Sequence, residues 1–170
     1  MNAIVAVDAH WAIGREGGML FHLPGDLQYF KRTTLGKAVV MGRRTLDSLP
    51  GGRPLKGRHN IVLTRDAAFA AEGVTAVHSM AELTEALQQY APEDVMLIGG
   101  HQVYHLLIDC CDTAYVTRIR AQAPADSYFP NLDTRPGWRL VSQSPAQEEN
   151  GVQYAFCTYV NDAVKPLPQE

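Results

Sequence analysis

The stretch DVMLIGGHQVYHLL, Asp94 to Leu107, decides the fold of this chain. Its apolar run ends in two glycines, and residues of helical composition follow at once. A continuously apolar run is typical of a strand covered on both faces, as the strands of a parallel sheet are. The stretch AVVMG, Ala38 to Gly42, repeats this pattern before a second helix. We therefore predict an α/β fold with a mostly parallel sheet.

Short β-rich runs recur along the whole chain. They are Ala3–Val7, Ala38–Met41, Asn60–Thr64, Val74–His78, Val95–Ile98, Ala114–Ile119, Arg139–Ser142 and Gln153–Val160. Helices are predicted over Pro24–Thr34 and Arg43–Leu49, after the Ser79–Glu82 capping box, and from His101. The predicted fold is a single α/β domain over residues 1–162. Its mostly parallel central sheet has about eight strands and an antiparallel C-terminal edge, with about four flanking helices. Residues 163–170 are expected to be a frayed tail.

Composition limits the classes of function. The chain has 170 residues, a net charge of −3, 46% hydrophobic residues and 19% charged residues. This balance is typical of a soluble globular protein, and a negative net charge argues against binding nucleic acid. No apolar run is long enough to span a membrane, and the N-terminus does not resemble a signal peptide. Three cysteines without a CxxC spacing favour reduced thiols in the cytoplasm.

The stretch LFHLPGDLQYFKRTT, Leu20 to Thr34, places Asp26 on a helix face shared with Phe30 and Thr33. A carboxylate on such a face is unfavourable unless something pairs with it. One interpretation makes Pro24 the first helical residue and Asp26 a first-turn acid that complements the helix dipole. The other makes Asp26 a ligand-binding carboxylate that accepts two parallel N–H donors, as a 2-aminopyrimidine ring offers. The residues alone leave both open.

Three predicted strands end in residues suited to an anion. Gly42 is followed by Arg43 and Arg44, Leu63 by Thr64 and Arg65, and Ile98 by a double glycine and a helix start. Ligands of α/β sheets bind at the carboxyl ends of the strands, so these ends could meet at a polyphosphate. The alternative is ordinary tight turns and solvated arginines.

The common nucleotide-binding and hydrolase signatures are absent from the sequence. HQVYH, His101 to His105, has the spacing of the zinc-protease motif but carries Gln102 where the catalytic glutamate belongs. Asp109 could be a third ligand, but a solvated helix face is the preferred interpretation, and no metal is expected.

Six segments in order resemble bacterial dihydrofolate reductases over nearly the whole chain. They are AVDAHWAIG (6–14), LPGDLQYFK (23–31), VVMGRRT (39–45), GRPLKGRHNIVLTR (52–65), MLIGGHQVY (96–104) and ADSYFP (125–130). The resemblance implies an eight-stranded sheet and NADPH-dependent reduction of 7,8-dihydrofolate to tetrahydrofolate, which supports one-carbon and thymidylate metabolism. It also implies a cytoplasmic monomer that antifolates inhibit.

The resemblance also implies roles for individual residues. Asp26 matches the single active-site acid, which holds the pterin N3 and 2-amino group, and Arg58 matches the clamp on the glutamate α-carboxylate. The pterin pocket corresponds to Ile4, Val5, Ala6, Leu27, Phe30, Ile98 and Thr117, and the benzoyl walls to Leu49 and Leu55. The nicotinamide and its covering loop correspond to Ala6, Ile13, Gly14 and Met19. The phosphate turns correspond to Gly42, Arg44, Thr45, Gly99, Gly100, His101, Gln102 and Val103, with a cis bond between Gly99 and Gly100. The 2′-phosphate site corresponds to Arg43, Thr64 and Arg65, and Leu63 is expected to contact the cofactor as well.

The chain departs from the family pattern at four positions. Leu20 and Phe21 replace the usual Pro-Trp pair, whose indole N–H anchors a water beside the pterin. Leu46 replaces a common tryptophan, and His101 replaces a common glycine. Two other functions share parts of the pattern. A pyrimidine reductase of riboflavin synthesis should lack the pair of Asp26 and Arg58, and a non-catalytic NADP(H)-binding module would need no pterin pocket.

Overall fold

The structure is a computed structural model that describes residues 1–169. These residues form four α-helices: α1 (Pro24–Thr34), α2 (Arg43–Ser48), α3 (Met80–Leu87) and α4 (His101–Leu107). The strands are β1 (Asn2–Val7), β2 (Ala12–Gly14), β3 (Ala38–Gly42), β4 (His59–Leu63), β5 (Val74–Val77), β6 (Val95–Gly99), β7 (Thr113–Ile119), β8 (Ser127–Tyr128), β9 (Trp138–Gln143), β10 (Gln147–Glu149) and β11 (Val152–Asn161).

One large sheet organises the chain, in the order β10-β11-β7-β1-β6-β3-β4-β5, and β9 also pairs with β11. The pairs from β7 through β1, β6, β3 and β4 to β5 are parallel, whereas β11 runs antiparallel to β7. The prediction of a mostly parallel α/β sheet with an antiparallel C-terminal edge and four helices is confirmed.

The apolar strands lie where the sequence predicts, at the centre of the sheet. Every residue of β6 is buried, as are residues 38–41 of β3. Met41 lies opposite Gly99, and Gly42 lies opposite Leu63. The carboxyl ends of β6, β3 and β4 therefore meet at one edge of the sheet.

Alternation along β1 divides the core between the two faces of the sheet. Ala3, Val5 and Val7 pack into one hydrophobic cluster, and Ile4 packs into a second with residues of β3 and β6. The second cluster lies against α1, since Phe30 packs on it. This face is the one on which the candidate site forms.

The sequence does not predict three short strands. β2, β8 and β10 have two or three residues each, too few to show a period of two. Helix α1 has the predicted bounds, and the predicted capping box is present, because Ser79 Oγ accepts from the Glu82 N–H at 3.1 Å. Glu82 Oε2 accepts in turn from the N–H of His78, one residue before the cap.

Residues 163–169 run along the surface beside the end of α4. The Lys165 N–H donates to the Asp109 carbonyl at 2.8 Å, and Leu167 packs on the first cluster. The domain boundary at residue 162 and the frayed tail stay predictions, and Glu170, the last residue of that tail, lies outside the described residues. Within residues 1–169 no helix combines the length and the apolar character needed to cross a membrane.

Candidate active site

Helix α1 presents Asp26 on its first turn. Leu23 is the N-cap residue without a side-chain cap, Pro24 is the first helical residue, and Asp26 follows two positions later. This is the position that the helix-dipole interpretation requires. The Asp26 side chain, however, does not cap the helix, because its Oδ1 accepts from the hydroxyl of Thr117 at 2.6 Å. Both interpretations of Asp26 are compatible with this geometry.

Burial sets the electrostatics of Asp26. Loss of solvent raises the pKa of Asp26 above its usual range, the Thr117 hydrogen bond lowers it, and the negative charge of Glu149 raises it again. The first effect is the largest. No cation is among the causes of the shift, so the carboxylate lacks a charged partner within the described residues. Such a group is poised to bind a ligand that donates hydrogen bonds.

Most of the predicted pterin-pocket residues surround this face. Ile4, Ile98 and Thr117 are buried, Phe30 packs with the second cluster, and Ala6 packs with a third cluster around Leu23. Leu27 is more exposed, at 38%. Val5 differs, because alternation along β1 turns its side chain to the first cluster on the opposite face. Val5 can contribute to a ligand on the Asp26 side through its backbone.

Arg58 lies near the other end of α1. Its Nε donates to Thr34 Oγ1 at 3.2 Å, and its Nη1 donates to the Lys56 carbonyl at 3.1 Å. Partial burial lowers its pKa, and no carboxylate of residues 1–169 forms an ion pair with it. The predicted benzoyl walls, Leu49 and Leu55, pack on the second cluster. A half-buried guanidinium without an acid is suited to an external carboxylate.

The three predicted phosphate turns meet at the edge formed by β6, β3 and β4. A Cβ built on Gly100 would lie 3.2 Å from Thr45 Oγ1, and one built on Gly42 would lie 3.1 Å from Val103 Cγ2. The starts of α2 and α4 are therefore in close contact, as a shared cradle requires. The peptide bond between Gly99 and Gly100 is cis, which confirms that expectation.

The arginines of this edge differ in their partners. Arg44 and Arg65 are exposed, and neither forms an ion pair within the described residues. Arg43 stacks on the Phe69 ring at 4.0 Å, and its Nε lies 3.4 Å from Asp47 Oδ1. The Asp47 contact competes with any phosphate for Arg43. The remaining predicted residues of this edge are the half-buried Leu63 and Thr64 and the exposed His101 and Gln102.

The predicted covering loop is anchored at its start. β2 pairs with β8, the Asp126 N–H donates to the Gly14 carbonyl, and the Glu16 N–H donates to Asp126 Oδ2 at 2.9 Å. Ile13 is half-buried, whereas Met19 is 66% exposed. Residues 15–19 thus project as a polar turn with one apolar side chain available to a ligand.

The unusual His101 has a contact that its sequence position does not reveal. Its Nδ1 accepts from the Tyr128 N–H at 2.8 Å, and His105 Nε2 lies 3.1 Å from the Tyr128 carbonyl. The two histidines therefore tie α4 to β8. Asp109 instead forms a bidentate pair with Arg135, and no group of three metal-ligating side chains occurs within residues 1–169.

Sequence reasoning missed two residues beside Asp26. Glu149 Oε1 accepts from the Gly25 N–H at 2.8 Å, and the Tyr154 hydroxyl donates to the same oxygen. Neither belongs to a recognisable motif, and β10, which carries Glu149, is too short to predict. Only the fold brings residues 149 and 154 to the start of α1.

Comparisons with known proteins agree with this geometry. A model of the family "Dihydrofolate reductase" matches residues 1–161. The chain is 38% identical to the dihydrofolate reductase of Bacillus subtilis, over 94% of this chain and 93% of the relative. It is 39% identical to dihydrofolate reductase type 3 of Salmonella typhimurium, over 93% and 96%. The solved structure of Enterococcus faecalis dihydrofolate reductase complexed with NADP(H) and RAB-propyl superposes with a TM-score of 0.84, at 36% identity and 95% coverage of both chains. The chain therefore belongs to the dihydrofolate reductase family, whose members are NADPH-dependent oxidoreductases.

Proposed function

We propose that the cleft around Asp26 reduces 7,8-dihydrofolate to tetrahydrofolate with NADPH, with Asp26 at the pterin and Arg58 at the glutamate tail. The observation that carries the assignment is the pair of unmatched charges at the two ends of α1. Asp26 has no cationic partner and Arg58 no anionic one within the described residues. Asp26 and Thr34, which holds Arg58, lie about 12 Å apart along the helix axis. A ligand with hydrogen-bond donors at one end and a carboxylate at the other satisfies both charges.

The pterin site has a defined chemistry. The ionised Asp26 accepts two parallel N–H bonds from the 2-aminopyrimidine edge, while Thr117 holds the carboxylate in place. The anion also favours the protonated, iminium-like form of the substrate, which is the better hydride acceptor. Phe21 has no N–H to hold a water near that ring. The water that brings the proton to the pterin is therefore not anchored by an indole donor as in the family.

The residues of the phosphate edge fit NADPH. The lack of a side chain at Gly100, beside Thr45, leaves the backbone there open to a phosphate, and Arg44 and Arg65 supply positive charge that forms no ion pair within the described residues. Bound there, NADPH supplies the hydride, and the reaction then depends on positioning rather than on covalent catalysis. Arg43, Thr64 and Arg65 would hold the 2′-phosphate, and the loop around Met19 would cover the nicotinamide.

A spectrophotometric assay tests the proposal. Purified protein should oxidise NADPH when dihydrofolate is added, more slowly with folate, and not when both are withheld. An antifolate with a 2,4-diaminopyrimidine ring should inhibit it. Absence of NADPH oxidation by a protein that binds NADPH would contradict the proposal and favour a binding module.

The proposal includes a monomer of the cytoplasm that binds neither nucleic acid nor membranes. The net charge of −3 argues against binding to nucleic acid, and the three free cysteines favour the cytoplasm. Light scattering behind a sizing column should give the mass of one chain, and a mass of two chains would contradict the monomer.

A further inference from the structure

The first turn of α1 takes its hydrogen-bond acceptor from a distant strand. The N-cap residue, Leu23, offers no side-chain acceptor, and Pro24 has no N–H. The first free donor is the Gly25 N–H, which donates to Glu149 Oε1 at 2.8 Å. Glu149 therefore accepts a hydrogen bond at the helix start, as an N-cap side chain does in other helices. The donor is Gly25, the residue before Asp26.

Tyr154 holds the same carboxylate oxygen. The Tyr154 side chain is 1% exposed, and its hydroxyl donates to the same Oε1 that accepts from Gly25. A Cβ built on Gly25 would lie 2.5 Å from the Tyr154 hydroxyl oxygen and 2.7 Å from Glu149 Oε1. The absence of a side chain at residue 25 is what lets Glu149 reach the helix backbone and lets the Tyr154 hydroxyl lie beside it.

We propose that Glu149 is a positioning residue for the reduction: held by Tyr154, it fixes the first turn of α1 and thereby the carboxylate of Asp26. The inference rests on the proposed function. Glu149 contacts the backbone of the residue before Asp26 and not the reacting atoms, so it acts through Asp26.

The negative charge of Glu149 also affects the protonation of Asp26. Its negative charge raises the pKa of Asp26, in addition to the larger effect of burial. The other groups that interact with Asp26 are the Thr117 hydroxyl on β7, Tyr154 on β11 and Tyr29 on α1 itself. None of them is a cation, so Glu149 strengthens the affinity of this part of the cleft for a proton. Whether the proton is held on Asp26 or on the bound pterin, a neutral residue 149 weakens that affinity.

Two variants separate position from charge. Glu149→Gln keeps an oxygen acceptor for Gly25 and Tyr154 but removes the charge, whereas Glu149→Ala removes both. Glu148→Gln is the matched control, because it removes the same charge from the neighbouring residue of β10, which is exposed and has no partner within the described residues. Alternation along the strand turns the Glu148 side chain to the opposite face.

The measurement is the single-turnover rate of hydride transfer against pH, with the KM for dihydrofolate and the KM for NADPH. For Glu149→Gln we expect the profile to move to lower pH and the rate on its alkaline side to fall about two- to fivefold, the range of a partly exposed charge pair. The KM for dihydrofolate should stay near that of the wild type. For Glu149→Ala we expect the kcat/KM for dihydrofolate to fall about tenfold or more, with the KM for NADPH unchanged.

Gly25→Ala tests the geometry with every charge in place. Its methyl group should displace Glu149 and Tyr154. The kcat/KM for dihydrofolate should then fall as much as in Glu149→Ala, although Glu149 is still present. Melting temperature and NADPH binding establish that each variant is folded, and the pH profile of Glu149→Gln is a readout that loss of stability alone does not move.

The outcomes are distinct. A pH profile of Glu149→Gln that superposes on that of Glu148→Gln, together with an unchanged kcat/KM in Glu149→Ala, would overturn the inference in a wild-type enzyme that is active. A wild-type protein that does not reduce dihydrofolate would instead overturn the proposed function itself.

Discussion

The Thr117 hydroxyl donates to Asp26 Oδ1 at 2.6 Å and so joins strand β7 to the first turn of α1. Thr117 is 2% exposed, and β7 is paired along its length with both β1 and β11. The direction of the Asp26 carboxylate is therefore set from a buried residue of a strand that is paired on both sides.

Replacing Thr117 with valine removes this donor at constant shape. Since the hydrogen bond lowers the pKa of Asp26, its loss should raise that pKa further. We expect the kcat/KM for dihydrofolate to fall about tenfold. Carbon-13 NMR of the Asp26 carboxyl should show its titration at higher pH than in the wild type. Thr113→Val, on the same strand, is the control, and an unchanged Asp26 titration in Thr117→Val would refute the role of the bond.

Asp26→Asn should separate catalysis from stability. The hydride-transfer rate should fall by about 10² or more at neutral pH and partly recover as the pH drops, because the substrate then protonates without help from an anion. The pKa of Asp26 is raised in the folded state, so its ionisation destabilises the fold as the pH rises through that pKa. The Asn variant should melt at the same or a higher temperature at neutral pH, and this difference should vanish below the ordinary Asp pKa of 3.8. Normal turnover with a lower melting temperature would make Asp26 a helix-dipole residue only.

Arg58→Lys keeps the charge but loses the planar fork that suits a carboxylate. The KM for dihydrofolate should rise about tenfold. The truncated substrate 6-methyl-dihydropterin, which has no glutamate, should be used as well by the variant as by the wild type. Arg53→Lys, at an exposed position nearby, should change neither value. Equal losses with both substrates in Arg58→Lys would show that Arg58 supports the fold through Thr34 and not the ligand.

Cofactor preference should depend on the two arginines beside the predicted 2′-phosphate. Replacing Arg43 and Arg65 together with alanine should raise the KM for NADPH about 100-fold or more, since each charged hydrogen bond contributes about 1.5–3 kcal/mol. NADH, which lacks that phosphate, should bind as before. Arg120→Ala, an exposed arginine after β7, is the control for total charge. An equal loss for NADH would contradict the assignment.

The parts of the fold that the sequence predicts are those with a strong local pattern. β6 and β3 are apolar until they end at Gly99 and Gly42, and Pro24 marks the start of α1. The pairing of Asp26 with Thr117 is not local, since it depends on how β7 packs beside α1. Glu149 and His101 show the same limit, because their contacts join segments that no motif connects.

Val5 on β1 is a second example of a side chain whose place the motif does not predict. Val5 lies between Ile4 and Ala6 in the sequence, and all three match one pocket of the family. In the sheet, alternation separates them, so adjacency in a motif does not place side chains on one surface.

The carboxylate that secures the first turn of α1 lies 124 residues after Gly25 in the chain. The ribosome adds Asp26 and Thr117 before Glu149, and it adds β11, which pairs with β7, after Glu149. A domain folds as a unit, and this cleft takes residues from segments that are far apart in the sequence. A nascent chain that stops before β10 would therefore carry the acid and its threonine partner without the residue that holds the helix start, and without β11 beside β7.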